Sequence, residues 1–169
     1  MKITIALGFV LASFLCLAEN VFIPRMKEAP IQVDGIVNQE EYARASLVEG
    51  MVHFKAHRLI NRNVSVFITS TEEALYLTMS NPVEESDVRG GFITMAKSGG
   101  RVFADDCVEF FVLKTDGSKA YQFIVNSANA TVVFVREPEG KPSQQDIPFR
   151  SASQVHDGKW EVEIGRAHV

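Results

Sequence analysis

The chain has 169 residues, a formal net charge of −4, 46% hydrophobic residues and two cysteines. That length accommodates one domain with a real hydrophobic core. Slight acidity and the lack of any Lys/Arg cluster exclude a partner recognised through its phosphates, whether nucleic acid or an anionic membrane, and suit a neutral ligand.

Lys2 precedes an apolar run over residues 3–17 that gives way to the charged Glu19. The run is shorter than the roughly 20 residues of a permanent membrane helix. Cys16 and Ala18 are small enough for cleavage before Glu19, so residues 1–18 are expected to be a signal peptide. The mature protein is then secreted, periplasmic or held at the cell surface, with no membrane contact after cleavage. It keeps Cys107 alone, which excludes an internal disulfide. Cys107 lies inside an apolar strand pattern and reads as a small buried filler rather than a reactive thiol.

Ile31-Gln32-Val33 alternates and meets Asp34-Gly35, which predicts a short strand and a tight turn. Residues 38–41 have the form of a capping box, with Asn38 capping and Glu41 reaching back, so one or two helical turns are expected over 40–45. Residues 46–61 have no clear period, although Met51 and His53-Phe54 fit an edge strand. From Val64 onward the period is two and the segments are rich in Val, Ile, Phe, Tyr and Thr, which suit a pleated, half-buried surface. Strands are expected over 64–69, 74–79, 106–114, 120–127, 130–136, 149–155 and 160–164. Turn chemistry lies at Thr115-Asp116-Gly117 and Ser127-Ala128-Asn129, a polar loop over 137–145, and a short hairpin loop at Asp157-Gly158. Many short strands with frequent turns and almost no helix predict an all-β antiparallel sandwich, immunoglobulin- or jelly-roll-like, with one short N-terminal helix. The buried set should include Phe67, Leu75, Leu77, Val108, Phe110, Phe123, Val125 and Val133. Residues 165–169 break the strand alternation. They read as a tail foreign to the parent gene, after a domain over 19–164 that stops before its fold is complete.

No phosphate loop, nucleophile elbow or Cys/His metal spacing is present. His53 and His57 lie four apart but without a third ligand, and their segment has no helical period. The densest polar cluster is Phe103-Ala104-Asp105-Asp106-Cys107-Val108-Glu109. On strand alternation Asp105, Cys107 and Glu109 share one face while Asp106 and Val108 share the other, so the acids do not converge. A glycosidase needs paired carboxylates and a supported cleft, and the chain has no room for that cleft. An aromatic plate beside hydrogen-bonding acids needs less, and solvated acids at the start of a strand are the plainer alternative.

Taken in order, Asp34-Gly35 with Glu41-Tyr42-Ala43, Val64-Ser65-Val66 with Ala74-Leu75-Tyr76-Leu77, Asp106-Cys107-Val108-Glu109-Phe110-Phe111, Tyr121-Gln122-Phe123-Ile124-Val125-Asn126 and Gly158-Lys159-Trp160-Glu161-Val162-Glu163-Ile164 resemble the family 9 carbohydrate-binding modules. The resemblance covers most of residues 30–164. It implies a non-catalytic β-sandwich, a polysaccharide or oligosaccharide partner, a structural calcium ion, and a parent protein active on glycans or displayed on cells. Carried over by position, it implies Phe103 as an aromatic plate, Glu109 as an acceptor from sugar hydroxyls and Asn126 as a polar neighbour. A second plate is expected beyond Trp160, which itself reads as a core or rim aromatic. Tyr42 reads as packing. Ile124 departs from the pattern, standing where some members carry arginine. Related sandwiches hold haem, so Met79 and Met95 keep a haem-binding redox domain open as the alternative, and a structural module without ligand is another.

Overall fold

The computed structural model describes residues 21–28, 31–53, 56, 58–59, 61–83, 98–99 and 101–165, without the side chain of His53. The expected signal peptide, His57, Met95 and residues 166–169 lie outside the described residues.

Among the described residues eleven strands form in chain order: β1 Ser46–Val48, β2 Val52–His53, β3 Arg58–Leu59, β4 Ser65–Ser70, β5 Leu75–Pro82, β6 Cys107–Leu113, β7 Ala120–Asn126, β8 Thr131–Arg136, β9 Ser143–Gln145, β10 Arg150–His156 and β11 Lys159–Gly165. One sheet has the order β1-β4-β5-β11-β10 and the other β6-β7-β8-β9, while β2 and β3 form a small ribbon. All the strand pairings are antiparallel.

Period-two alternation makes this a sandwich. Val66, Ile68, Leu75, Leu77, Met79, Val162 and Ile164 from the five-stranded sheet and Val108, Phe110, Phe123, Val125 and Val133 from the four-stranded sheet form one buried cluster. Phe123 on β7 meets Phe149 edge-on, with ring centroids 5.3 Å apart. Met79 pairs with Val66 and Val162 inside this core, where it serves packing. Trp160 is buried in the same cluster and donates its indole N–H to Ser153 Oγ at 2.9 Å. The Asp157-Gly158 loop joins β10 to β11 with both residues at positive φ, 45° and 71°, the twist a two-residue hairpin requires.

Four sequence expectations are corrected. Residues 31–33 do not form a strand. Gly165 instead leaves room for Val33, since a Cβ there would lie 2.8 Å from Val33 Cγ2. Phe67 is only half-buried, because it points to the outer face of its sheet and packs against Tyr42, ring centroids 5.0 Å apart. The capping box is half formed: Asn38 Oδ1 accepts from Glu40 N at 3.1 Å, but Glu41 Oε2 accepts from Gln32 N at 3.0 Å instead of reaching back. The helix is correspondingly short, Gln39–Tyr42. Cys107 is partly rather than fully buried.

The outer face of the five-stranded sheet holds two buried carboxylates. Glu163 Oε2 accepts from the amides of Asp34 at 2.8 Å and Gly35 at 2.7 Å, and its Oε1 accepts from Tyr42 O–H. Thr78 Oγ1 donates to Tyr42 at 2.9 Å. Glu161 Oε2 accepts from Val37 N at 2.8 Å and faces His156 Nε2 at 2.8 Å, while its Oε1 accepts from Ser80 Oγ at 2.6 Å. Buried carboxylates survive when every lone pair is used. Asp34 N, Gly35 N, Val37 N and Tyr42 O–H all belong to the segment 34–42, so the two glutamates fasten that segment across the sheet and close the face. Tyr42 therefore does more than pack.

Candidate carbohydrate site

The outer face of the four-stranded sheet is built differently. Directly paired residues share a face, and the register defines the rows. Glu109 pairs with Ile124, and Ile124 with Val132. In the next row Phe111 pairs with Gln122, Gln122 with Phe134, and Phe134 with Gln144. The row beyond brings Leu113, Ala120 and Arg136 together.

A short 3-10 turn, Val102–Ala104, lies over the start of β6 and the end of β7. Its Val102 is fully buried with Ile124, Ala130 and Val132, with Cys107 and Phe134 packed at the rim. That small apolar cap presents Phe103 to solvent at 55% exposure, its ring edge-on to Phe134 with centroids 6.5 Å apart. Ile124 lies beneath this cap, so the position that departs from the family pattern is a packing position here.

Glu109 is exposed, and its Oε2 accepts from Gln122 Nε2 at 2.8 Å. Gln122 Oε1 in turn accepts from Arg136 Nε at 2.9 Å and Nη2 at 2.7 Å. The chain Glu109–Gln122–Arg136 thus crosses three strands, with the buried amide holding an acid on one side and a guanidinium on the other. Glu109 Oε1 is left for an external donor.

Asn126 does not join this group. It is fully buried, its Nδ2 donates to Asp105 Oδ2 at 2.8 Å, and its Oδ1 accepts from Ala128 N at 3.1 Å and Ala130 N at 2.7 Å. Both ends of the amide shape the β7–β8 turn and tie it to Asp105, so no sugar hydroxyl reaches it. Phe103 and Glu109 remain on the same outer side. Sequence reading missed Phe111, Gln122, Phe134 and Arg136; the period-two pattern placed each on a face, but their rows need the strand pairing. Burial, with the charges of Glu109, Asp105 and Asp106, pushes the Cys107 thiol up to about 11, which leaves it unreactive.

An open cleft of about 460 Å³ adjoins the ends of β8 and β9 and is lined by Thr131, Val132, Gln144, Asp146 and Phe149 among others. Among the described residues no group of three or more His, Cys, Asp or Glu is placed to hold a metal ion.

The fold is shared with solved structures. A candidate carbohydrate-binding protein from Bacteroides uniformis ATCC 8492 superposes with a TM-score of 0.60 at 17% identity, covering 86% of this chain and 71% of that one. A family 9 carbohydrate-binding module from Caldicellulosiruptor kristjanssonii, solved with glucose, superposes at 0.54 with 13% identity, covering 85% and 68%. The same module with cellotriose gives 0.55 at 13%, covering 86% and 67%. No match to a curated protein reaches significance. The model of the family described as Carbohydrate-binding family 9 matches residues 33–157, most of the chain from the Glu163-bound turn to the β10–β11 hairpin, and the chain belongs to that family.

Proposed function

We propose that this chain binds carbohydrate without transforming it, as an exported module of a protein that processes or displays glycans. The observation that carries this is the outer face of the four-stranded sheet, where exposed Phe103 and partly exposed Phe134 share one side with Glu109, whose carboxylate is held by Gln122, itself bound by Arg136. Neutral sugars are held by stacking on an aromatic ring together with hydrogen bonds that replace their hydration. A pre-set acid lowers the ordering cost of binding. Membership of the family supports the reading, as do the glucose and cellotriose held by the Caldicellulosiruptor module.

Binding without turnover fits the acids available. Asp105 is engaged by Asn126 and buried, so it is no partner for Glu109 in acid and nucleophile roles. Export rests on the apolar run at residues 3–17, and terminal sequencing of exported protein should begin at Glu19.

Calorimetric titration with glucose, cellotriose and soluble polysaccharides tests the binding. Glu109→Ala should weaken it by roughly 1.5–3 kcal/mol, the scale of a hydrogen bond to a charged group. Unchanged affinity would remove Glu109 from the site, and no binding of any saccharide by the parent would refute the function.

A further inference from the structure

We infer that His156 is a pH-dependent latch on the segment 34–42: with its ring protonated it holds Val37 to the five-stranded sheet through Glu161, and with its ring neutral it lets the segment open at Val37 while Glu163 keeps the rest in place. The inference stands apart from the carbohydrate-binding reading.

The latch is built on a shared oxygen. Glu161 Oε2 meets His156 Nε2 at 2.8 Å and accepts from Val37 N at 2.8 Å. On its other side the partly exposed ring turns Nδ1 to Asp157 Oδ2 at 3.4 Å. Both ring nitrogens therefore face a carboxylate oxygen, and an ionised carboxylate only accepts. An imidazolium donates to both, whereas a neutral ring turns a lone pair toward one of them.

Glu161 is 1% exposed, and a buried carboxylate depends on its counter-charge. Lys159 Nζ lies 4.0 Å from the other oxygen, Oε1, on a half-exposed side chain, so solvent screens it. Ser80 on β5 gives Oε1 a hydrogen bond but no charge. From the segment itself, Asp34 is turned to Ile36 N and Glu41 to Gln32 N. Among the described residues the charges acting on His156 are those of Glu161 and Asp157; burial opposes the charged ring, and their hydrogen bonds and charges outweigh it. Closure is then favoured below the ordinary histidine value and weakened as pH rises through the folded one.

Once the ring is neutral, water is the replacement for the lost counter-charge. The bond from Ser80 is buried and that from Val37 only part-buried, so the segment yields at Val37. Glu163 has no such dependence. Its donors are two amides and Tyr42 O–H, and burial holds that hydroxyl above its ordinary pKa.

Amide hydrogen exchange in the whole chain tests the latch, each rate divided into the unstructured rate at the same pH to give a protection. Between pH 5.5 and pH 8 the protection of Val37 in the parent should fall at least about threefold more than that of Gly35 and Val162. Its midpoint should coincide with the titration of the His156 ring, read from the carbon-bound ring protons in the same samples. In His156→Gln the extra fall at Val37 should vanish. Val37 unprotected already at pH 5.5, a fall shared equally by Gly35 and Val162, a midpoint away from the ring titration, or an undiminished extra fall in His156→Gln would each overturn the latch. Should His156→Gln not melt cooperatively, the coincidence of midpoints in the parent decides.

Discussion

Replacing Glu163 by alanine separates the fastening role of the outer carboxylates from mere tolerance of them. The substitution removes acceptors from Asp34 N, Gly35 N and Tyr42 O–H. A buried donor left unsatisfied costs about 1–3 kcal/mol. Asp34 N is only partly buried and can recruit water, whereas the other two bonds are buried, so the gross loss is about 2–6 kcal/mol. Against this, burial raises the Glu163 pKa despite its hydrogen bonds from Tyr42, Gly35 and Asp34, so the ionised group carries a desolvation cost that alanine relieves. A net destabilisation of about 3 kcal/mol results. Glu163→Gln should cost about 1 kcal/mol or less, because its oxygen can serve both amides while its NH2 faces Tyr42, whose hydrogen turns to Thr78 Oγ1. For a domain of this size about 2–4 °C of Tm accompanies each kcal/mol. Thermal unfolding followed by circular dichroism should therefore place the alanine variant about 6–12 °C below the parent and the glutamine variant close to it. Limited proteolysis should cut the alanine variant within residues 31–45. Equal melting losses in the two variants, or an alanine loss under about 1 kcal/mol, would show that Glu163 does not hold the segment.

Gly35→Ala should cost about 2 kcal/mol in a denaturant melt, since φ is +88° and a Cβ would sit 2.8 Å from Gln154 Cγ. Burial alone would lower the His156 pKa, but the hydrogen bonds and charges of Glu161 and Asp157 outweigh it and the net is a rise. Stability from a raised histidine is fully present below its ordinary pKa and is lost as pH rises through the folded value, so His156→Gln should lower the Tm more at pH 5.5 than at pH 8.5; an equal loss at both would refute the pairing. With its pKa at about 11, Cys107 has about one thiolate in a thousand at pH 8. Its alkylation by iodoacetamide should run at least tenfold slower than that of an ordinary exposed cysteine, the lower thiolate fraction being partly offset by the greater nucleophilicity of a higher-pKa thiolate.

The sandwich was legible because both of its faces leave a period-two trace. The strand expected over 120–127 became Ala120–Asn126, and the hairpin at Asp157-Gly158 formed where its dipeptide stood. What the alternation does not carry is which strands pair. β5 lies beside β11 although about eighty residues separate them in the chain, and that pairing puts Ser80 against Glu161 and Thr78 against Glu163. Read on its own, Trp160-Glu161-Val162-Glu163-Ile164 is an ordinary half-exposed strand; only the overlying segment 34–42 makes its polar side an interior. β9 escaped notice because Ser143-Gln144-Gln145 is wholly exposed and polar, and an edge strand of that kind has no hydrophobic signature. Asn126 misled because a polar residue at a strand end looks available until the turn it closes is known.

The two outer faces show how one sandwich divides its labour. On the five-stranded side, acids on β11 meet backbone amides of a segment that cannot leave without stranding a buried charge, and the face is closed. On the four-stranded side the cover found among the described residues is the 3-10 turn at Val102–Ala104, whose Val102 fills the space over Ile124 with Phe134 packed at its rim. The polar groups there bond to one another instead of to an overlying segment, which satisfies the buried Gln122 without closing the surface. Such a network rigidifies the groups it joins, and Glu109 and Arg136 remain exposed at its ends. Ile124 beneath the cap and Arg136 one strand further on fit this division of the face. A guanidinium at position 124 would have to displace the apolar packing under Val102 to reach Glu109, its direct cross-strand neighbour, whereas at position 136 it reaches the Gln122 amide from the solvent side. Exchanging the two, with Ile124→Arg and Arg136→Ile in one chain, should therefore destabilise the cap by about 3 kcal/mol or more. A parent-like melting temperature for that double variant would show that the cap tolerates the charge and that Gln122 does not depend on Arg136.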